Sequence, residues 1–209
     1  MSKLGRALRD MASAVREDHA MLRHYDGKYG DADRRAGSTP AFATLRFTRD
    51  LVTRVGFQML AACRAMRFCA DAGIPLAPQL VSRLIRHAYG SDVHWDATIE
   101  PGVVVVHGMG IAVSPAAHIG RGAILFQHVT LGAGVDPESR ASGAPRLEQD
   151  VHVGPGSTLV GPITVGARSK VSANCFVRTS VPADSLVQAP QPVVTTRARA
   201  GQQASGKPD

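Results

Sequence analysis

The sequence predicts an α+β fold: a helical amino-terminal domain over residues 1–90, a parallel β-helix over residues 91–189 with one extruded loop, and a tail over residues 190–209. Three observations carry this reading. Apolar residues recur at helical spacing as far as Gly90. From Val93 onward an aliphatic residue returns at every sixth position. Aromatic residues make up only 5% of the chain, which suits a narrow prism with little room for rings.

The helical half reads in three pieces. Leu4, Leu8, Met11, Val15 and Leu22 stand three, four or seven residues apart, and the segment is expected to close at Asp26-Gly27. Ser38-Thr39-Pro40 offers a cap followed by proline at the first helical position. One long helix is expected to follow, carrying Phe42, Leu45, Val52, Val55, Met59, Cys63 and Met66 on one stripe and stopping at Ala72-Gly73. A second stripe of Phe47, Leu51 and Leu60 predicts cover on more than one side, by neighbouring helices or by another subunit. Leu80, Leu84, Ile85 and Ala88 predict a shorter helix ending at Gly90.

In the second half aliphatic residues stand at Val93, Ile99, Val105 and Ile111. After a two-residue slip they stand at Val113, Ile119, Leu125 and Leu131, and after a longer interruption at Leu147, Val153, Leu159, Val165, Val171 and Val177. Four residues after most of them comes a small or β-branched residue, among them Ala97, Val103, Ala117, Ala123, Val129, Ser157, Ile163, Ser169 and Cys175. Three six-residue faces make a triangular coil of about 18 residues, in which each aliphatic points inward and each small residue lets the chain turn a corner. A sandwich of short strands would instead show alternation broken by turns every 8–12 residues or so. The interruption from Gly132 to Arg146 carries Gly, Pro and charges of both signs, and reads as a functional loop extruded from the coil. The tail is polar and expected to be disordered beyond about Arg199.

Composition excludes several classes. A chain that is 44% hydrophobic is too apolar to be disordered, and its glycines follow no triplet. The amino terminus lacks the apolar run of a secretory signal, and the longest comparable run, Val55 to Cys63, is about half of what spans a bilayer. A soluble, cytoplasmic protein is expected. Cys63, Cys69 and Cys175 are odd in number and never spaced C-x-x-C, which suits reduced thiols. The net charge of +7 sits entirely in the helices: residues 1–90 hold 15 Lys and Arg against 8 Asp and Glu, and the remainder holds 9 of each. A basic assembly domain beside a neutral prism fits this distribution better than a nucleic-acid interface does, and it can draw an anionic ligand towards a site.

One stretch of the coil departs from its small-and-apolar habit: Val104-Val105-Val106-His107-Gly108-Met109-Gly110. A histidine two residues past an inward aliphatic, followed by glycines, is presented on an outer face where backbone can approach a ligand. Alone, His107 reads more readily as an exposed structural histidine. Its surroundings raise the case for a functional one. From Asp92-Val93-His94, through His107, to Phe126-Gln127-His128-Val129-Thr130-Leu131-Gly132, the sequence resembles the serine O-acetyltransferase family. The likeness extends into Pro162-Ile163-Thr164-Val165-Gly166 and Ser169-Lys170-Val171, and back to Asp10 and Asp18-His19-Ala20, covering about 170 of the 209 residues.

The resemblance implies a left-handed β-helix, acetyl transfer from acetyl-CoA to a hydroxyl, and a homotrimer or dimer of trimers. In that family the product is the O-acetylserine used for cysteine synthesis. His107 stands where the family has its general base and Asp92 where it has the carboxylate that orients it; Asp92 can also be read as a cap at the start of the first coil. Gly132 and Ala133, with Ala173 and Lys170, stand where the family binds acetyl-CoA between neighbouring prisms. Lys170 or Arg168 could meet the phosphates.

Departures from the family pattern fall on the acceptor side. An acidic residue expected just before the base is Val106, and Arg-His-Pro before Leu147 is Gly143-Ala144-Pro145. Of the acceptor shell Asp18 remains, with Arg140, Arg146 and His128 as replacements to consider. Losing these groups removes charge-assisted hydrogen bonds worth roughly 1.5–3 kcal/mol each, so free serine is expected to bind poorly and another alcohol, such as a modified serine or a sugar, to be the acceptor. The chain ends Gly-Lys-Pro-Asp and not in the isoleucine by which family members dock into cysteine synthase, so that complex is not expected.

Two other classes compete. A zinc enzyme on the same prism needs two histidines close together on one coil, whereas His107, His118, His128 and His152 are widely spaced, so no metal is expected. A non-catalytic scaffold could use the basic helices to touch nucleic acid or a membrane surface, but their arginines lie on several faces with no aromatic interleaving.

Overall fold

The computed structural model describes residues 2–29 and 40–195. Four helices precede sixteen short strands: α1 (Lys3–Tyr29), α2 (Pro40–Thr53), α3 (Val55–Ala72), α4 (Ala77–Tyr89) and β1–β16. The Ser38-Thr39 cap and the tail beyond Arg199 lie outside the described residues.

Two helical expectations change. α1 runs through Gly27, where no neighbouring side chain or backbone presses on the position. The long helix breaks at Arg54, whose extended backbone (φ −102°, ψ 94°) ends α2 and starts α3. β-Branched Val52, Thr53 and Val55 surround the break and favour helix poorly. The redirection brings α3 onto the prism, where Gly56 lies so close to the main chain that a Cβ there would sit 1.9 Å from the Val105 carbonyl oxygen. α3 is the central helix, burying Phe57, Met59, Leu60, Cys63 and Met66 against α1, α4 and the first coil. α4 ends at Gly90 in the left-handed conformation (φ 59°).

The strands form the three faces of a prism. The first holds β1 (Asp92–Val93), β4 (Ala112–Val113), β7 (Thr130–Gly132), β12 (Thr158–Val160) and β15 (Phe176–Val177). The second holds β2 (Thr98–Ile99), β5 (His118–Ile119), β10 (Arg146–Leu147) and β13 (Thr164–Val165). The third holds β3 (Val104–Val105), β6 (Ile124–Leu125), β11 (His152–Val153), β14 (Lys170–Val171) and β16 (Leu186–Val187). All of these neighbours pair in parallel, and the inward column of the first face reads Val93, Val113, Leu131, Leu159, Val177. The aliphatic positions read from the repeat are buried, except Ile99, which is partly exposed at the end of the prism beside Arg64.

The two-residue slip lengthens the first coil, in which Val93 pairs with Val113, twenty residues on. The extra residues form the loop that carries His107. The extruded segment is an antiparallel hairpin of β8 (Gly134–Val135) and β9 (Ser142–Gly143), leaving the corner between the first and second faces.

Candidate active site

Each coil passes from the third face to the first through one corner, and the residues of that corner stack in a column. Lowest is Tyr89-Gly90-Ser91, then His107 to Ile111, then Gln127-His128. The Gly110 N–H donates to the Tyr89 carbonyl (3.2 Å) and the His128 N–H to the Met109 carbonyl (2.9 Å). Asp92 opens the first face directly after the lowest step, its N–H bonded to the Ile111 carbonyl (2.7 Å).

The His107 loop is fixed from three directions. From below, the fully buried Ser91 hydroxyl donates to the Gly108 carbonyl (3.1 Å) and accepts from the Ile111 N–H (3.0 Å). Ser157 and Ser169 staple later coils in the same manner, each accepting an amide from the coil above and donating to a carbonyl there. From the side, α3 presses backbone against backbone: a Cβ on Gly108, already left-handed at φ 64°, would stand 2.9 Å from the Gly56 Cα. From above, the His128 ring lies over Gly110, where a Cβ would be 2.1 Å from Nδ1. His107 itself is exposed on this held loop.

The structure thus brings His107, His128 and Asp92 to one corner. Asp92 does not meet His107 in the single chain; its carboxylate is bound by Arg86 at 2.8 and 2.9 Å, both side chains being exposed. A surface pair of this kind contributes about 0–1 kcal/mol and exchanges easily.

Asp18 has another job. It is 1% exposed and accepts four hydrogen bonds: from Arg64 Nε (2.9 Å) and Nη2 (3.1 Å), and from the N–H groups of Gly102 (2.8 Å) and Val103 (3.1 Å). It therefore pins α1 and α3 to the corner between the second and third faces, with its carboxylate enclosed by the chain. Burial pushes its carboxyl above the ordinary range, more than the Arg64 and backbone hydrogen bonds pull it down. Asp18, which the resemblance places in the acceptor shell, is engaged in this buried network within the single chain.

The other candidates lie elsewhere around the prism. Arg146 is exposed on the second face, paired in register with His118 and Thr164, which is the face opposite the His107 corner. Gly132 ends β7 and the exposed Ala133 leads into the hairpin, at the corner between the first and second faces. Lys170 opens β14 on the third face, and Ala173 follows at the exposed turn towards the first. Gly143 and Ala144 are half-buried, and a Cβ on Gly143 would press on Pro162 at 2.9 Å. Val106 packs with Phe57, Val104, Ile124 and Phe126, an apolar cluster in which a carboxylate would be costly.

Gln127 is a residue that sequence reading passed over. It sits one coil above His107, and its Oε1 is buried with no hydrogen-bond partner among the described residues. Its place in the column follows from the slip, which only the register reveals. Burial also pushes the Cys63 thiol up to about 12, which leaves it no role as a nucleophile. Among the described residues no group of three His, Cys, Asp or Glu side chains could hold a metal ion, and no helix is long and apolar enough to cross a membrane.

A helical region feeding a prism of hexapeptide coils is the fold of a left-handed β-helix with a helical amino-terminal region. The chain is similar in sequence to serine acetyltransferases. It is 33% identical over 134 residues to serine acetyltransferase of Synechococcus elongatus, 63% of this chain and 53% of that protein. It is 36% identical over 132 residues to the enzyme of Synechocystis, 63% and 52% of the two chains. The chain therefore spans about half the length of the curated relatives it matches. Among solved structures it superimposes on serine acetyltransferase isoform 3 of Entamoeba histolytica in complex with cysteine with a TM-score of 0.71 at 22% identity, over 93% of this chain and 64% of that one. A serine acetyltransferase in complex with CoA gives 0.71 at 22%, over 91% and 72%. The Neisseria gonorrhoeae enzyme in complex with serine gives 0.69 at 20%, over 90% and 72%. The chain matches no family model.

Proposed function

We propose that this protein is an O-acetyltransferase that moves the acetyl group of acetyl-CoA to an alcohol, at a site completed between copies of the chain. The observation that carries the reading is the His107 loop, held rigidly by Ser91, Gly56 and His128 while the imidazole itself is left exposed, in a chain homologous to serine acetyltransferases.

An alcohol is a poor nucleophile near neutral pH. His107 takes the hydroxyl proton as the oxygen attacks the thioester carbonyl, and the resulting imidazolium returns it to the departing CoA sulfur. Asp92 orients the imidazole and stabilises its charged form once Arg86 lets go of it. Gly132 and Ala133 of one prism, with Ala173 and Lys170 of the next, line the groove for acetyl-CoA.

A triangular cross-section supports assembly. Arg146 and the Gly132 corner stand away from the His107 corner of their own chain, so they join it only when another prism presents its second face there. A homotrimer or dimer of trimers does this. His128 and Arg146 then stand in the place of the acceptor shell, with Val106 and Gly143-Ala144 in place of the charged groups that would hold free serine; a modified serine or a sugar hydroxyl fits better. The cytoplasm, where acetyl-CoA is made and used, is the corresponding compartment.

Release of CoA thiol from acetyl-CoA against a panel of hydroxy amino acids and sugars tests the reading. Turnover with an acceptor other than L-serine, reduced 100-fold or more by His107→Ala, is expected from loss of a general base worth about 10²–10⁴-fold. Unchanged turnover in that variant would overturn the mechanism, and brisk acetylation of L-serine would overturn the acceptor assignment.

A further inference from the structure

A second concavity lies at the first-coil end of the prism. β1 and β2 are edge strands there, and α3 covers the end only in part, leaving a cavity of about 140 Å³. Its floor is apolar: Cys63 and Met66 from α3, Val93 from β1, and Ala97 and Ile99 beyond it. One wall is the chain's single tryptophan, Trp95, whose ring stacks on that of His94 with centroids 4.1 Å apart and planes 30° apart. Arg67 and Thr98, both exposed, form the rim. Cys63, Val93 and Ile99 also line a void of about 10 Å³ inside the first coil, so the floor is one side chain thick. Protein interiors are close-packed, and two spaces back to back leave this floor room to give.

The charges that border the cavity are matched within the chain. Arg64 is held by both oxygens of Asp18 and by the Ile99 and Glu100 carbonyls. Arg67 Nε donates to both oxygens of Asp71 (3.0 and 3.1 Å), and its Nη1 donates to the Trp95 carbonyl (3.3 Å). His94 Nδ1 accepts from the Asp96 N–H (3.1 Å), and the Cys63 thiol stays protonated. No buried side-chain nitrogen or oxygen of the lining lacks a partner among the described residues. An ion entering here would lose its hydration and meet no free counter-charge, and a trapped water would find few of the two to four polar partners it needs. A flat apolar molecule leaves no lining group unpaired and gains by packing against Trp95. An apolar cavity of about 150 Å³ is large enough for one benzene ring.

We infer that this cavity binds a small uncharged aromatic molecule, one ring in size, packed against Trp95. The site itself does not depend on the acetyl-transfer reading. Its consequence for the His107 corner does rest on that reading: Val93 lines the cavity directly after Asp92 in β1, so a ligand that stiffens β1 in its present position keeps Asp92 with Arg86 and away from His107.

Benzamide, benzoate and benzamidinium share one shape and differ in charge, and Trp95 fluorescence reads their binding to the full chain without reference to turnover. Benzamide is expected to saturate with a Kd of about 0.1–1 mM, the range for so small a ligand, and each ion to bind at least tenfold more weakly. Ala97→Leu fills the cavity from the prism and Cys63→Met from α3; each variant that circular dichroism shows to be folded is expected to bind benzamide at least tenfold more weakly. Fluorescence that does not saturate, an ion bound as tightly as benzamide, or unchanged binding in a folded filled variant overturns the proposal. The link to the His107 corner is read from kcat. Saturating benzamide is expected to lower kcat severalfold in wild type and to leave that of the filled variants unchanged, and a wild-type kcat that does not move at full occupancy overturns the link. A protein without acetyl transfer that still binds benzamide overturns the acetyl-transfer reading and not this site.

Discussion

Asp18→Ala separates a structural carboxylate from a substrate ligand. Removing the side chain leaves the Arg64 guanidinium, 9% exposed, without its counter-charge, although it keeps hydrogen bonds to the Ile99 and Glu100 carbonyls. Breaking one side of a buried ion pair costs about 3–5 kcal/mol, a large share of the roughly 5–15 kcal/mol that holds a domain folded. With a urea m-value of about 2–3 kcal/mol/M, the unfolding midpoint should fall by roughly 1.5 M. Asp18→Leu with Arg64→Met removes both charges and should recover most of the loss. It should still fall short of wild type by about 1–3 kcal/mol, because the Gly102 and Val103 amides keep no acceptor. Urea titration followed by circular dichroism measures all three. An Asp18→Ala midpoint equal to wild type, together with a raised KM for the acceptor, would refute the structural assignment and return Asp18 to the acceptor site.

Other outcomes follow from single contacts. Ser91→Ala removes the staple beneath the His107 loop, so kcat should fall several-fold with KM for acetyl-CoA little changed; equal losses in Ser157→Ala would show that any corner serine has this effect. Gly56→Ala places a methyl against the Val105 carbonyl, and overpacking of about 1–3 kcal/mol should lower the melting temperature while displacing α3 from the loop. Gln127→Leu should raise stability by relieving the unpaired Oε1 and lower turnover at the same time; a variant that gains stability at full activity would exclude Gln127 from the site. Burial pushes the Asp50 carboxyl up, but hydrogen bonds from His19 (3.0 Å) and Arg49 (3.1 and 3.2 Å) outweigh it and hold the group below the ordinary range. A depressed carboxylate stabilises above its unfolded pKa and stops doing so as pH falls through its folded one. Acid unfolding followed between pH 5 and 2 should therefore flatten in Asp50→Asn, and an unchanged acid limb would remove this pair from the account.

The prism was legible because its rule is local: one aliphatic every six residues, with a small residue at each corner, whatever the rest of the chain does. Val93 to Val177 needed no tertiary information. The helices obeyed a looser rule. The β-branched residues round Arg54 weaken the helix there, but its redirection goes with the close approach of Gly56 to Val105, residues far apart in sequence. The site divides along the same line. His107 and Asp92 stand out through the likeness of their neighbours to a known family, whereas the contacts of Asp18 depend on Arg64, 46 residues away, and on amides 84 and 85 residues away. Gln127 escaped notice because a glutamine in a repeat is unremarkable until the twenty-residue coil stacks it above the histidine loop.

The positive charge of the helical half is also explained by what its acids do. Asp18 is spent on Arg64, Asp26 on Arg54, Asp50 on His19 and Arg49, Asp71 on Arg67, and Glu17 on Arg121 of the prism. Apart from Asp71, which pairs with Arg67 on its own helix, these carboxylates tie α1 to its neighbours: Asp18 to α3, Asp26 to the break between α2 and α3, Glu17 to the prism, and Asp50 of α2 to His19. Salt should therefore weaken the exposed Glu17–Arg121 pair between α1 and the prism while leaving the buried Asp18–Arg64 pair almost untouched.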